Sequence, residues 1–398
     1  MNIESPPRLY TLEFLRVTVI MFLLMTSFTT FLLLPIMVEE MGGDAVDIGL
    51  VMGVMPIGAV ISRFFWGRWM DLAGRKKILL ISTLLNTVVL FLFLTVHSIG
   101  LWIIILRLLQ GVAMGGYITA VWTITADISP PGRLAESLGI FGIAGMLALA
   151  VGPWGGELIM NRLDFSGVFI ASGLMSVIAL ALLLPLRESR PISGCELIKP
   201  SYRKTMGRGV LVILLITFAF AVSRAAFASF FAEYSRLQQI GSIGVYSIIY
   251  SLTTISTRLI TRRLPDRVGR ARVLTPALII FGTGIGLIAV IQTLPVFIIS
   301  AFLCGLGHCF LYPVLNALVV GKVHPCARGT ATGLYINSFD IGIGAGSLLW
   351  GLVAQFGGYH LMYILAGLTA LMGIWGAQRL LREGRKKIAP SAQSSKVP

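Results

Sequence analysis

The strongest constraint on the fold is a series of long apolar runs that recurs along the whole sequence. A helix needs about 20 apolar residues to cross the hydrocarbon core of a bilayer, and the chain of 398 residues contains twelve such runs. They lie near residues 12–37, 46–66, 78–96, 101–124, 136–157, 165–186, 209–232, 241–261, 273–292, 296–320, 331–354 and 360–381. Only 12% of the residues are charged, against about 25% in a soluble domain. We therefore predict an all-α integral membrane protein with twelve transmembrane helices.

The basic residues lie mainly in short connectors between these runs. A net charge of +15 is typical of nucleic-acid-binding proteins, but no nucleic-acid-binding motif surrounds these residues. We therefore expect a lipid bilayer, and no nucleic acid, as the partner. If the N-terminus is cytoplasmic, 28 of the 32 Lys and Arg residues are cytoplasmic or at helix ends that face the cytoplasm. Of the other four, Arg162 and Arg236 lie outside the cell, and Arg107 and Arg224 lie within spans. Because cytoplasmic loops are enriched in Lys and Arg, both termini are predicted to be cytoplasmic, in a bacterial inner (plasma) membrane.

An internal repeat divides the sequence into two parts. Asp71 and Asp266 are 195 residues apart, and the same shift relates five further pairs. These pairs are Gly74 and Gly269, Arg75 and Arg270, Pro130 and Pro325, Arg133 and Arg328, and Gly156 and Gly351. We predict a six-helix bundle over 1–186, a cytoplasmic linker over 187–208, and a second six-helix bundle with a short basic cytoplasmic tail over 209–398. Parallel repeats of this kind are a known plan of secondary transporters.

Three motifs carry a resemblance to a known family. They are GRWMDLAGRKK from Gly67 to Lys77, RLLQGVAMG from Arg107 to Gly115, and GMLALAVGPWGG from Gly145 to Gly156. From about Leu12 to Leu381, the sequence resembles the major facilitator superfamily. The third motif is similar to the helix-5 motif of the twelve-span drug:H⁺ antiporters. The resemblance implies two pseudo-repeated bundles of six helices, and usually a monomer.

The first motif matches the signature between the second and third helices of that family. The matching residues are Gly67, Asp71, Gly74, Arg75 and Lys76. Gly67 and Gly74 are expected to permit a tight turn, and Asp71 is expected to lie before the N-terminus of the third helix, where a carboxylate is favourable. On one interpretation, these residues serve only topology and turn formation.

On the other interpretation, Asp71 and Arg75 form a latch that closes the cytoplasmic side and breaks when the cavity opens inward. The resemblance implies charged contacts with neighbouring helix ends, and Asp127 is the expected partner of Arg75. The related turn of the second half contains Asp266, Gly269 and Arg270. Its position equivalent to Asp127 is Lys322, so we expect the latch to be stronger in the first half.

Ionisable residues within the predicted spans are candidates for function because placing charge in lipid is costly. Asp340 lies about ten residues into the eleventh span, near mid-membrane at 1.5 Å per residue. Burial and a nearby arginine act on the protonation of a carboxylate in opposite directions. A group balanced between them can take up and release a proton, which makes Asp340 a candidate for proton coupling. The alternative is a permanent ion pair with an arginine.

Two arginines and a histidine are the other candidates for proton coupling and the substrate cavity. The resemblance implies a role in proton coupling for Arg107. The alternative is a structural arginine that donates hydrogen bonds to backbone carbonyls. Arg224 lies in the seventh span, one of four that line the cavity in this family, although it could snorkel to the surface. His308 titrates near neutral pH in water, but a lone histidine is often a hydrogen-bonded packing residue.

The helix-5 motif contributes residues that shape the backbone, namely Gly145, Gly152, Pro153, Gly155 and Gly156. Pro153 removes a helical hydrogen bond and is expected to kink the helix. Gly145 and Gly152 lie on one face and permit close helix approach. We expect this face to form an interface between the two halves, with ordinary tight packing as the alternative.

Further residues bear on the cavity and on cofactors. Candidate cavity residues are Thr26, Thr30, Tyr117, Trp122, Tyr246, Tyr250, Tyr312, Asn316, Tyr335 and Asn337.

The four cysteines, Cys195, Cys304, Cys309 and Cys326, lack the spacing of a metal site. We expect buried thiols, no metal and no cofactor. The sequence shows no nucleophile–base pair of the kind that an enzyme would need, so we do not expect an enzyme.

Three functions remain open from the sequence. The first is proton-coupled export of a small organic solute by alternating access. Because the deep arginines outnumber the deep acid, an anionic, zwitterionic or amphipathic solute is favoured over a simple cation. The second is a proton symporter that imports a sugar, carboxylate or peptide-like solute. The third is a membrane sensor that does not transport.

Overall fold

The computed structural model describes residues 10–130, 133–188, 207–261, 264–324 and 328–388. Within these ranges, it describes every side chain except those of Asp71, Ala135, Gly329 and residues 382–388. The described residues form helices and their connections, with no β-strand among them. The all-α prediction is therefore confirmed. We call residues 10–188 the first half and residues 207–388 the second half.

The first half contains six α-helices and two short 3₁₀-helices. The α-helices are α1 (Leu12–Thr29), α2 (Leu34–Glu40), α3 (Ala45–Ala73), α4 (Arg75–Leu92), α5 (Leu101–Ile128) and α6 (Leu134–Leu183), and the 3₁₀-helices are Thr30–Leu33 and Phe93–Thr95. The described part of the second half contains α7 (Arg208–Gln238), α8 (Ile243–Thr261), α9 (Leu264–Val268), α10 (Arg270–Ile288), α11 (Leu294–Val320) and α12 (Arg328–Ile388).

Ten segments of the described chain are long and apolar enough to cross a membrane. Two helices are longer than one crossing requires, since α6 has 50 residues and α12 has 61. Non-helical backbone interrupts α6 at Leu163 and Asp164, and α12 at Gly358. These breaks lie close to the predicted connectors between the fifth and sixth and between the eleventh and twelfth spans. The count of twelve crossings stays a prediction, in which α6 and α12 each contribute two arms.

The start of α3 is fixed by two aspartates that cap each other. The Asp44 carboxylate accepts hydrogen bonds from the backbone N–H groups of Val46 and Asp47, at 2.9 and 3.0 Å. The Asp47 carboxylate accepts one from the N–H of Asp44 at 3.2 Å. A helix leaves such N–H groups unpaired at its start, so this acidic connector determines where α3 begins.

Buried hydroxyl pairs join helices within each half. In the first half, Thr30 and Ser172 lie 2.8 Å apart, and Thr87 and Ser176 lie 2.8 Å apart. In the second half, Ser229 of α7 and Ser347 of α12 lie 2.7 Å apart. Since no water is available in a bilayer core, such pairs satisfy polar groups and hold neighbouring helices together.

The two halves meet where α3 packs on the first arm of α12 and where the first arm of α6 packs on α8. A Cβ atom built at Gly53 would lie 3.0 Å from the carbonyl oxygen of Gly344, and one built at Gly49 would lie 2.6 Å from that of Ser347. The backbones of α3 and α12 therefore touch, and a larger residue at either glycine would push them apart.

Several contacts close one end of the bundle. We call the end at which α1 begins the proximal end and the opposite end the distal end. At the distal end, Arg236 of the second half pairs with Glu40 of the first at 2.5 Å. The N–H of Gly244 donates to the Glu157 carboxylate at 3.3 Å, beside a cleft of about 460 Å³. The halves are thus joined across their distal ends.

Candidate functional site

A buried ion pair links the two halves near the middle of the bundle. Arg63 of α3 and Asp340 of α12 lie 2.5 Å apart, with side chains that are 8% and 12% exposed. Arg63 also donates to the Asn337 side-chain oxygen at 3.0 Å. At 1.5 Å per residue, Arg63 lies about 15 Å from the proximal end of its helix. Asp340, the predicted coupling carboxylate, therefore lies between the halves.

Arg63 is a functional candidate that the sequence analysis missed. Counting it among basic residues at helix ends was wrong, because it lies ten residues inside α3 and is buried against an acid. Its apolar surroundings, VISRFFWG, were the available signal. The 195-residue shift also relates Arg63 to Arg258 of α8, a second arginine that was assigned to topology.

Arg224 lies in the middle of α7 and points towards α12. Its guanidinium carbon lies 5.9 Å from the centre of the Phe339 ring, one residue before Asp340. Its buried Nε has no hydrogen-bond partner among the residues that the structure describes. Arg224 also interacts electrostatically with Asp340. It therefore belongs to the same polar cluster and does not snorkel to the surface.

His308 of α11 completes this central cluster. It is 3% exposed, and its ring stacks on Tyr312 with a centroid distance of 5.8 Å and an interplanar angle of 11°. Both Arg224 and Arg258 interact with it electrostatically. Its Nδ1 has no hydrogen-bond partner in the described part of the chain, so one ring nitrogen of His308 lacks the hydrogen bond expected of a packing residue.

Arg107 lies apart from the central cluster. It is 3% exposed and lies six residues after the start of α5, about 9 Å from the distal end of that helix. Its Nε donates to the Val51 carbonyl at 3.0 Å, and its Nη1 donates to the Gln110 side chain at 2.6 Å. The structure thus brings together Arg224, His308 and Asp340, and it places Arg107 at the contact between α3 and α5.

The proximal turn of the first half contains the predicted ion pair. Gly74 has a φ of +98° between α3 and α4, which favours glycine. Arg75 pairs with Asp127 at 2.6 Å, with side chains that are 12% and 10% exposed. The expected role of Gly67 in the turn is wrong, because Gly67 lies inside α3. The side chain of Asp71 lies outside the described part of the structure.

Glu188, which the sequence analysis did not single out, binds the start of α4. Its carboxylate accepts hydrogen bonds from the backbone N–H groups of Arg75 and Lys76, at 2.6 and 3.1 Å. The Lys76 ammonium group donates to the Leu184 carbonyl at 2.8 Å. A carboxylate at this helix start therefore comes from beyond the end of α6, 113 residues after Arg75.

The related turn of the second half is built differently. Gly269 has a φ of +101° and matches Gly74. Arg270 pairs with Asp266 at 3.0 Å, but the two residues belong to the same turn and their side chains are 45% and 68% exposed. Since Lys322 stands where the first half has Asp127, the asymmetry predicted between the two turns is present.

The glycines of the helix-5 motif pack within the first half. A Cβ atom at Gly152 would lie 2.9 Å from the Thr26 carbonyl oxygen of α1, and one at Gly156 would lie 2.9 Å from Leu33. Gly145 faces Met21 of α1 at 3.6 Å. The expectation that these glycines form the interface between the halves is therefore wrong.

Other residues of that motif lie between the halves or inside the helix. Trp154 and Glu157 lie against Gly244 of α8, so this side of the helix faces the second half. Pro153 lies inside α6, and a Cβ atom at Gly155 would meet nothing within 4 Å.

The cysteines of the apolar spans are buried free thiols. Cys304 and Cys309 are 1% and 3% exposed, as predicted, whereas Cys195 and Cys326 lie outside the described residues. No group of three His, Cys, Asp or Glu that could hold a metal ion occurs among the described residues.

Comparison with known sequences gives the family. The profile described as Major Facilitator Superfamily matches residues 17–199 and 213–398. A Salmonella typhimurium protein named "Uncharacterized MFS-type transporter" is 26% identical over 387 residues, covering 92% of this chain and 96% of its own. "Multidrug resistance protein MdtG" of Escherichia fergusonii is 26% identical, covering 88% of this chain and 90% of its own. "Staphylopine export protein" of Staphylococcus aureus is 20% identical, covering 85% and 88%.

Solved structures share the fold. A mutant form of the nucleoside transporter NupG superposes with a TM-score of 0.77 at 15% identity, covering 92% of this chain and 99% of its own. A POT family transporter in complex with a thioalcohol-conjugated peptide superposes with a TM-score of 0.78 at 14% identity, covering 94% and 96%. The chain therefore belongs to the major facilitator superfamily, and it is a multi-pass membrane transporter rather than an enzyme.

Proposed function

We propose that this transporter exports a small organic solute in exchange for protons. The observation that carries this proposal is the ion pair between Arg63 and Asp340, which joins the two halves at 2.5 Å in a buried position. A proton on Asp340 removes the charge that holds Arg63, so protonation weakens a link between the halves. The names of MdtG and of the staphylopine export protein support export as the direction.

The moving parts in this proposal are the two six-helix bundles, over 1–186 and 209–398, with residues 187–208 as the linker. They rock about the contacts of α3 with α12 and of α6 with α8. The central cluster of Arg224, His308 and Asp340 serves proton coupling and substrate binding. The transporter works as a monomer, since each chain contains both bundles.

We further propose that the distal end faces the outside of a bacterial inner membrane. Both termini are then cytoplasmic, which agrees with the enrichment of basic residues in the proximal connectors. The ion pair of Glu40 with Arg236 and the contact of Glu157 with Gly244 then close the outer side of the transporter. Arg107, tied to α3 through the Val51 carbonyl, supports this closed outer end and influences coupling through the helix contact.

The latch takes a modified form in this proposal. Arg75 and Asp127 both belong to the first half, so their pair does not have to break when the halves separate. The pair fixes the turn from α3 to α4, which follows Asp71 at the end of α3, and keeps the proximal end of the first half in shape. The matching turn with Asp266, Gly269 and Arg270 gives less support because its ion pair is local and exposed.

A symporter of carboxylates is the second candidate, and one feature favours it. Arg63, Arg224 and Asp340 lie together, so the cluster has more positive than negative charge. A proton on Asp340 removes the negative charge that would repel a bound anion, and a bound anion favours the protonated form of Asp340. The anion and the proton therefore favour each other's binding. Proton and anion would then move in the same direction.

The test is transport by purified protein in proteoliposomes, with LC–MS detection of a panel of amino acids, organic acids and amphipathic dyes. An exporter that exchanges solute for protons accumulates at least one panel solute when the lumen is acidic, and nigericin abolishes this accumulation. Accumulation only when the lumen is alkaline would instead establish the symporter. Accumulation that is insensitive to nigericin would overturn both proton-coupled mechanisms.

A further inference from the structure

The internal repeat relates the two places at which the halves meet. The 195-residue shift pairs Arg63 of α3 with Arg258 of α8, and it pairs Gly142 of α6 with Asn337 of α12. The contact is reproduced in three dimensions, since Arg63 binds Asn337, and a Cβ atom built at Gly142 would lie 3.3 Å from Nη1 of Arg258. One arginine therefore faces an amide side chain, and its counterpart faces a glycine.

The carboxylate partner is missing at the second contact as well. The residue related to Asp340 by the same shift is Gly145, which has no side chain and faces Met21 of α1. Arg63 is thus neutralised by Asp340 of the other half, whereas Gly142 gives Arg258 no side-chain acceptor. The duplication has left Arg258 without the side-chain partners that Arg63 has across its contact.

Arg258 is poorly satisfied in its surroundings. Its buried Nε has no hydrogen-bond partner among the described residues, and it lies against the Cys309 thiol and within electrostatic range of His308. His308 also has an unpartnered nitrogen, Nδ1, in the described structure. The Arg258 side chain is partly buried, and a partly buried charge whose Nε lacks a partner favours an anionic group supplied by a ligand.

The sign of the coupling limits what else the ligand must carry. The Tyr312 hydroxyl interacts electrostatically with Arg258, Asp340, Arg63 and Arg224, so these charges surround one region. An anion held only by Arg258 would favour the protonated form of Asp340. Exchange for a proton needs the opposite, because the ligand must disfavour the proton, and this coupling is reciprocal. A cationic group placed against Asp340 has that effect.

Building on the proton-coupled export proposed above, we infer that the substrate is a zwitterion whose anionic group binds Arg258 beside Gly142, and whose cationic group competes with a proton for Asp340. The rings of Tyr312 and Phe339 lie 5.3 Å apart beside these charges. They offer an apolar surface to the part of the substrate that joins its two charges.

Three matched probes test this inference. The zwitterion is 4-(aminomethyl)benzoate, the anion is 4-methylbenzoate and the cation is 4-methylbenzylamine. Each of the three contains the same para-substituted benzene ring. Calorimetric titration of the purified protein, in buffers of different ionisation enthalpy, measures both the affinity and the protons released. We expect the zwitterion to bind at least about 10-fold more tightly than either other probe. It should release protons from the wild type and not from Asp340→Asn.

A pair of variants at one position tests the anionic end. Gly142→Asp supplies an internal carboxylate to Arg258, so zwitterion binding should weaken at least about 10-fold, as in Arg258→Gln. Gly142→Asn fills the same place without the charge and so measures the steric loss alone, and Gly142→Asp should bind the zwitterion at least about 10-fold more weakly than Gly142→Asn. Arg272→Gln removes an exposed guanidinium near the proximal end and controls for loss of net charge.

The outcomes separate this inference from the proposed function. Equal or tighter binding of 4-methylbenzoate, absence of binding by the zwitterion, or equal effects of Gly142→Asp and Gly142→Asn would overturn the zwitterion site. If accumulation driven by the pH gradient persists in the same preparation, the proposed export stands without the zwitterion site. If that accumulation is absent while the zwitterion binds as expected, the export proposal fails and the binding site stands.

Discussion

The two arginines that lie between the halves occupy related positions and have different partners. Arg63 contacts Asn337 and Asp340, whereas Arg258 faces Gly142. The helices that carry them pack on related helices of the other half, α12 and α6, so the difference lies in the side chains. Under the proposal made above, the duplicated bundle has two unlike sites, one closed by its own ion pair and one that binds a ligand.

A similar division separates the two proximal turns. In the first half, Arg75 reaches another helix and binds Asp127 in a largely buried pair. In the second half, Arg270 binds Asp266 within its own turn and both side chains are exposed. Exposed pairs contribute little to stability, about 0–1 kcal/mol, whereas breaking a buried pair costs about 3–5 kcal/mol. The repeat therefore preserves the turn but not its energetic role.

The largest effect is expected at the closed site. Arg63→Gln leaves Asp340 without its ion partner between the halves, so transport driven by the pH gradient should fall about 100-fold, equivalent to roughly 3 kcal/mol. Initial rates in proteoliposomes measure this fall. Arg272→Gln is the control, since that arginine is exposed and should transport normally. Wild-type rates for Arg63→Gln would remove the distinction between the two sites.

The next effect concerns the two proximal turns. Asp127→Asn should lower the free energy of unfolding by about 3 kcal/mol, because Arg75 loses a buried partner. The related substitution Asp266→Asn should change it by less than about 0.5 kcal/mol. Unfolding in mixed micelles with increasing SDS measures both values. Equal losses in the two variants would show that the turns are energetically equivalent.

The smallest effect is expected at the start of α4, which Glu188 caps from beyond the end of α6. Glu188→Ala removes the acceptor for the N–H groups of Arg75 and Lys76, at a cost of about 1 kcal/mol in unfolding free energy. Glu188→Gln retains an acceptor oxygen and should recover about half of that loss. The same SDS titration applies. If alanine has no effect, Glu188 does not contribute to holding the first-half turn.

The sequence predicted the helices well because hydropathy is a local property. The fourth predicted span begins at residue 101, as does α5, and the seventh begins within one residue of α7. Asp340 and Arg224 were recognised because charge within an apolar run is costly. Arg63 and Arg258 were missed because a basic residue near a span end has an equally good explanation in topology.

Partners were harder to predict than positions. Arg75 and Asp127 could be paired from the family resemblance, but the contact of Glu188 with α4 joins residues 113 positions apart and follows no motif. The glycines of the helix-5 motif were correctly expected to allow close packing, yet the pattern did not show which helix they face. Only the three-dimensional arrangement shows that they face α1.

We propose that protonation of Asp340 governs movement of the two halves against each other. The most direct measurement compares wild type and Asp340→Asn in one proteoliposome preparation, using solute-for-solute exchange and uptake driven by an acidic lumen. We expect Asp340→Asn to retain exchange, because a neutral side chain still permits movement, and to lose accumulation driven by the pH gradient. Accumulation by Asp340→Asn at the wild-type level would contradict it.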